Sequence, residues 1–156
     1  MRKKLFTFFL AMVAGAGALF AESGTCGENL TWDLTDGVLT ISGTGEIENY
    51  GYFSNSSPWY SYRSTINTVI ISNGCTSIGD YAFRDASSLT SVSIPNTVTS
   101  IGAYAFSGCS SLASIVIPNS VTNVADDAFE GCDSFPVIDN IRYADTYLIK
   151  VVDKTL

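Results

Sequence analysis

Three stretches of the chain repeat at a step of 23 residues. Ile78-Gly79-Asp80-Tyr81-Ala82-Phe83 returns as Ile101-Gly102-Ala103-Tyr104-Ala105-Phe106, and again as Val124-Ala125-Asp126-Asp127-Ala128-Phe129. A fixed period of this size marks a solenoid, with one supersecondary unit per repeat stacked on the next. The columns extend on both sides. Ile66, Leu89, Leu112 and Phe135 share one, as do Val69, Val92 and Ile115, and Ile71, Ile94 and Ile117. Pro95 aligns with Pro118, Cys75 with Val98 and Val121, and Ala86 with Cys109 and Cys132. One such unit cannot bury its own apolar face, so stability comes from stacking against neighbours.

Within a unit, Val92 and Ile94 alternate with Ser91 and Ser93, which predicts a strand with one buried face. Pro95 lacks an N–H for the ladder and closes that strand. Val98, Ile101, Ala105 and Phe106 then fall at spacings near three and four, which predicts a short helical turn. Upstream, Leu30–Leu34 and Val38–Ile41 alternate around Asp36-Gly37 and predict a β-hairpin. Trp32 and Leu34, or Leu39 and Ile41, would cover the open core of the first rung, as a terminal unit must.

Written out, the unit is L-x-x-V-x-I-P-x-x-V-x-x-I-G-x-x-A-F-x-x-C-S-S, a length within the range of about 20–29 residues usual for leucine-rich repeats. It resembles the BspA-type leucine-rich repeat family of surface proteins. Cys26–Trp32, Leu39–Gly45 and Ser57-Pro58-Trp59-Tyr60 are similar to that family's N-terminal module. The resemblance implies a leucine-rich repeat solenoid, with a parallel strand plus a short helical turn per 23-residue repeat and an N-terminal β-hairpin cap. The expected organisation is a signal peptide over 1–21, a β cap module over 22–64 and the solenoid over 65–134. An irregular β segment over 135–156 is either a C-terminal cap or the start of a further module, with Ile141–Tyr143 and Tyr147–Val152 pairing as strands.

The leader follows from Met1-Arg2-Lys3-Lys4 and the uncharged run Leu5–Phe20, with small residues at Ala16-Gly17-Ala18 and at Ala21. Cleavage is expected after Ala18 or Ala21, leaving a polar, loose stretch over Glu22–Gly27. The apolar run is short for a bilayer span, so no membrane span is expected after cleavage. Without Arg2, Lys3 and Lys4, five basic residues remain against 15 acidic ones, a net charge of −10. That balance argues against nucleic acid and against anionic membrane as partners. The four cysteines, Cys26, Cys75, Cys109 and Cys132, read as small buried hydrophobes with free thiols, or as containing one bridge between Cys109 and Cys132 on adjacent rungs.

Histidine is absent, which removes Ser-His-Asp and Cys-His nucleophile systems and the usual zinc patterns. Glu46 and Glu48 form a carboxylate pair with nothing to give them a partner across a cleft, and Asp126-Asp127 reads as a solvated turn, with a weak calcium site as the lesser alternative, so no enzyme, metal or cofactor is expected. Gly43-Thr44-Gly45 lacks the third glycine and the following helix of a dinucleotide loop. Candidate binding positions are instead the outward strand ladders Thr68, Ser91, Ser114 and Ile70, Ser93, Val116, and the pair Tyr81 and Tyr104. Solenoids bind large partners through extended faces of this kind. The segment with Tyr50, Tyr52, Phe53, Trp59, Tyr60 and Tyr62 forms either an aromatic binding loop or the packing at the joint between cap and first rung.

The resemblance implies a secreted or cell-surface protein, typically bacterial, that binds host matrix proteins or neighbouring cells. Two alternatives remain. One is a structural protein that self-associates through its C-terminal rung; the other is a glycan-binding module using the aromatic segment 50–62.

Overall fold

The computed structural model describes the backbone of residues 21–138, 141–144 and 147–151, with side chains over 21–136. The expected leader lies outside the described residues, apart from Ala21.

The chain opens with strands β1 (Ala21–Thr25), β2 (Asn29–Thr35) and β3 (Val38–Glu46) in an antiparallel arrangement. The hairpin predicted around Asp36-Gly37 is present, with Thr35 opposite Val38 and Leu34 opposite Leu39. Asp36 and Gly37 both have positive φ, 52° and 80°, as a two-residue turn of the primed type requires. The stretch expected to be loose at Glu22–Gly27 is instead mostly β1, hydrogen-bonded along β2 from Ala21 opposite Thr35 to Thr25 opposite Thr31. Alternation is weak in this short polar strand, and its pairing comes from the neighbour's ladder.

β3 serves as the rung before the first repeat. Val38–Ile41 pairs in parallel with β4 (Thr68–Ile71), while Gly45 and Glu46 pair in parallel with β5 (Cys75–Ile78). β4 continues to β6 (Ser91–Ser93). β5 continues to β7 (Ser100–Ile101), and β7 to β8 (Asn123–Val124). Two parallel ladders therefore run up the stack, joined through β3.

The second ladder lies where the sequence predicts a helical turn. Cys75 and Ile78 are both buried at a spacing of three, which mimics a helical face, yet the backbone is extended. In a stack of equal coils the neighbouring rung is always in hydrogen-bonding reach. Gly102 N–H donates to the Ile78 carbonyl at 2.9 Å, and Ala125 N–H to the Ile101 carbonyl at 3.0 Å. Bonds between rungs replace those that a helix would make within itself.

A tight bend follows each rung of the second ladder. Alternate residues bond back three positions, as Arg84 to Tyr81, or across to the next rung, as Phe83 to Ala105 at 2.7 Å and Phe106 to Ala128 at 2.8 Å. Left-handed backbone recurs at Tyr81, Tyr104, Asp85, Gly108 and Gly131. The first ladder is shorter than expected, since no strand is formed over 112–118, although Ile115 and Ile117 keep their buried places.

The core is an axial stack of rings. Trp59, Phe83, Phe106 and Phe129 lie face to face at 5.5, 5.2 and 5.4 Å between successive centroids. Trp32 and Tyr50 meet Trp59 edge-on at one end, and Phe135 meets Phe129 edge-on at the other. Offset-stacked and edge-to-face pairs each add roughly 0.5–1.5 kcal/mol beyond burial. Around the rings, threonines at the same 23-residue step stitch the corners. Both the N–H and the hydroxyl of Thr99 donate to the Thr76 carbonyl, and both those of Thr122 to the Thr99 carbonyl.

All four cysteines are free and buried. The Cys109 and Cys132 thiols donate to the carbonyls of Phe83 and Phe106 at 3.3 and 3.2 Å. Burial, with Cys75 and Glu48 nearby, pushes the Cys26 thiol up to about 12. The hydrogen bond with Cys132, then burial, holds the Cys109 thiol well above its ordinary value. Thiolate is the form that alkylates. Because all four thiols are also shut away from solvent, the folded chain should take up no iodoacetamide in mildly alkaline buffer, and all four cysteines should react in concentrated guanidinium, as read by intact mass. A thiol that reacts in the folded chain would show that its part of the core is open.

Beyond the repeats, β9 (Val137–Ile138), β10 (Ile141–Ala144) and β11 (Tyr147–Val151) form a separate antiparallel sheet. The two strands expected there do pair, and β9 adds a third.

Candidate functional site

The first two bends each carry one half-buried tyrosine at the surface, and the third carries Asp127 in the same place. Tyr81 and Tyr104 sit in left-handed backbone, φ 56° and 54°, which is uncommon for a residue with a side chain. Such backbone costs of order 1 kcal/mol and clusters at binding sites. It allows the Tyr81 N–H to reach the Ala103 carbonyl at 2.9 Å while the ring stays on the surface. The two rings stack on each other, 5.0 Å apart and 18° from parallel.

The loop between β3 and the 3₁₀ turn at Tyr60–Tyr62 lengthens this row. Tyr52 meets Tyr81 edge-on at 6.4 Å, and Phe53 meets Tyr52 at 4.4 Å. Phe53 is 93% exposed and Tyr52 54%. Phe53, Tyr52, Tyr81 and Tyr104 thus form one continuous outward ridge from the loop to the second bend. Tyr52 and Phe53 are the members that periodicity does not single out; their one signal in the sequence is their place in an aromatic, glycine- and serine-rich loop.

Arg84 fixes the loop to the stack. Its guanidinium lies 3.9 Å from the Tyr52 ring centroid, and Nη1 donates to the Tyr52 carbonyl at 3.1 Å. Nη2 pairs with Asp85 at 2.9 Å and donates to the Tyr60 hydroxyl at 3.3 Å. At the far end of the ridge the Tyr104 hydroxyl bonds to Asp127, and that bond holds its phenol above the ordinary tyrosine value.

The other aromatic residues of the segment turn inward. Trp59 is in the axial stack, and its Nε1–H donates to the Ala82 carbonyl at 2.7 Å. Tyr50 is buried and its hydroxyl reaches the Cys26 carbonyl. Tyr62 packs against the core from the edge. Tyr60 is half-buried, its hydroxyl donating to Asp85 at 3.2 Å. The segment therefore packs the joint through Trp59, Tyr50 and Tyr62, and turns Tyr52 and Phe53 outward with Tyr60 half-buried.

The predicted strand-face ladders also point outward. Thr68 stands opposite Ser91 and Ile70 opposite Ser93 in the parallel register. Ile70 is 40% exposed, while Ser91, Ser93 and Ser114 are open to solvent. Val116 is 75% exposed and lies where no strand is formed. On the outer side of the second ladder runs an open groove of about 770 Å³, floored by Gly45, Gly79 and Gly102 and edged by Glu28, Glu46, Glu48 and Asp80. Asp80 is already committed there, since its carboxylate accepts from Ala103 N–H and its own N–H donates to Asn49. Among the described residues no group of three or more metal-ligating side chains exists, and no helix is long and apolar enough to cross a membrane.

Residues 47–146 match the family model of the BspA type leucine rich repeat region, in six copies. A leucine-rich repeat protein from Eubacterium ventriosum is similar over 79% of this chain and 44% of its own, with 28% identity and a TM-score of 0.58. The leucine-rich repeat protein of T. pallidum is similar over 81% of this chain and 61% of its own, with 20% identity and a TM-score of 0.53. The chain thus spans less than two thirds of the length of either structure. No curated protein matches the chain.

Proposed function

The chain belongs to the BspA-type leucine-rich repeat family, and from that premise we propose that it is an exported recognition module of a bacterial surface, binding a macromolecular partner outside the cell through its solenoid faces. The family is one of protein-interaction repeats. The observation that carries the reading further is the row in which the exposed Phe53 and Tyr52 continue the half-buried stacked pair Tyr81 and Tyr104, Tyr52 being held by Arg84 and the pair by left-handed backbone. Exposed contiguous aromatic surface is costly to leave in water and marks contact sites, and tyrosine and arginine are enriched where interfaces draw most of their energy.

Export rests on the leader over 1–21, and the proposed order is cap module over 22–64, solenoid over 65–134 and β segment over 135–156. Cleavage after Ala18 would leave β1 whole, whereas cleavage after Ala21 would remove its first residue.

The test is the binding of the chain from Glu22 onward to a panel of matrix proteins and glycans, with light scattering on the same samples. The wild type should bind a protein ligand saturably as a monomer. Changing Tyr81 and Tyr104 to asparagine, which tolerates left-handed backbone, should weaken that binding at least tenfold, since an interface anchor is worth about 2 kcal/mol or more. Changing Ile70 and Val116 to serine asks the same of the strand face. If both pairs leave every affinity unchanged, the recognition reading fails. Sugar-dependent binding alone would move the reading to a glycan module, and oligomers without a ligand would move it to a structural one.

A further inference from the structure

We infer that the joint between cap and first rung docks an acidic peptide segment of the partner, with the Arg63 guanidinium as its anchor. This deepens the recognition reading and rests on it.

Charge distribution is the first observation. Residues 21–136 contain twelve carboxylate side chains and two basic ones, Arg63 and Arg84. Both arginines converge on one ring: Arg63 lies 4.1 Å and Arg84 5.5 Å from the Tyr60 centroid. Asp85, paired with Arg84 and accepting from the Tyr60 hydroxyl, balances one of the two, which leaves Arg63 as the unbalanced positive charge at this joint.

The two arginines are not equivalent. Arg84 is consumed by the fold, through Asp85, the Tyr52 carbonyl and the Tyr60 hydroxyl, and its side chain is 12% exposed. Arg63 makes one bond, Nη1–H to the Tyr60 carbonyl at 2.9 Å. Among the described residues no carboxylate lies within ion-pair distance of it. Burial, and then Glu22 beside it, hold the Tyr62 phenol above the ordinary tyrosine value, so Glu22 faces Tyr62. The rest of the Arg63 fork is therefore uncommitted, while stacking on Tyr60 fixes the plane in which it is presented. A preorganised planar fork of this kind recognises a carboxylate by paired N–H bonds, with little rotamer freedom left to lose.

The neighbouring rings decide between kinds of acidic ligand. A sugar ring is best held on a platform of adjoining open aromatic faces. Arg84 takes one face of Tyr52, and Tyr81 and Tyr104 each cover one face of the other. Phe53 is the one ring of this row that is almost wholly open, which makes no such platform, and the rest of the outward surface is ring edges and hydroxyls. These suit an extended peptide carrying an acidic side chain beside an apolar one: the carboxylate on Arg63, the apolar group against Phe53 and Tyr52. Asp126, Asp127 and Glu130 at the other end of the ridge repel an acidic segment and fix its orientation.

The experiment uses the full chain from Glu22 onward, with fluorescence anisotropy of a labelled Glu/Leu peptide, its Lys/Leu counterpart and an oligogalacturonate. The Glu/Leu peptide should bind saturably, the other two should not, and light scattering should report a monomer. Arg63→Gln should weaken the Glu/Leu peptide by about tenfold or more, with an unchanged melting midpoint. Arg63→Lys, which keeps the charge without the fork, should fall between. Added salt should weaken the wild type more than Arg63→Gln. If Arg63→Gln also lowers the midpoint, the Lys variant and the salt response decide. No saturable binding of the Glu/Leu peptide, equal affinity in wild type and Arg63→Gln, binding of the uronate in its place, or occupancy of the site by a second copy each overturns the inference. If the Tyr81 and Tyr104 changes abolish partner binding while Arg63→Gln does not, this inference falls and the recognition reading stands.

Discussion

Replacing Phe106 by alanine should destabilise the chain by about 3–5 kcal/mol, as truncation of a buried aromatic side chain does. The ring is fully buried and stacked on both faces, by Phe83 at 5.2 Å and by Phe129 at 5.4 Å. Its loss removes the transfer energy of the side chain, opens a cavity on the axis and breaks two ring contacts at once. In a solenoid the interface between rungs carries the stability, so the damage falls on both neighbours. Against a total of about 5–15 kcal/mol, the midpoint should drop by roughly 10–25 °C, measured by circular dichroism. Phe106→Leu, which refills most of the volume, should cost less than half as much. A Phe106→Ala chain within about 1 kcal/mol of wild type would mean that the axial stack is not what holds the rungs.

Trp59→Ala should be comparably severe, at about 3–5 kcal/mol, but its damage should be directional. Trp59 joins cap to repeats: it stacks on Phe83, takes Trp32 and Tyr50 edge-on, and bonds the Ala82 carbonyl. Hydrogen exchange should therefore rise first in β2, β3 and β4 and later in β7 and β8. Trp59→Phe keeps a ring in the stack and leaves the buried Ala82 carbonyl without its donor, a cost of about 1–3 kcal/mol. Uniform exchange along the chain in Trp59→Ala would show that cap and solenoid unfold as one body.

The parts of the structure that the sequence makes legible are those set by side-chain period. Columns such as Val69, Phe106 and Leu112 are buried because identical positions in equal coils meet the same environment. The hairpin at Asp36-Gly37 is legible because few residues other than asparagine, aspartate and glycine adopt its backbone. The second ladder is not legible, because its two or three residues per rung are too few to show alternation, and their buried ends imitate a helix. Trp59 escapes column arithmetic as well. A step of 23 residues back from Phe83 lands on Tyr60, yet Trp59 enters the stack, the irregular loop before it having shifted the register by one residue. The ridge is half legible. Tyr81 and Tyr104 are one step apart and were bound to line up, whereas Tyr52 and Phe53 join them only because Arg84, more than thirty residues along the chain, reaches back to the loop.

Interior rings hold the stack, and exterior rings are proposed to meet the partner. Phe53→Ala tests this claim most directly, with affinity for the panel ligand and melting midpoint measured on the same sample. Phe53 is 93% exposed, so the midpoint should stay within about 2 °C of wild type while affinity falls by roughly tenfold or more. Unchanged affinity with an unchanged midpoint would contradict the claim, and the ridge would then be plain surface.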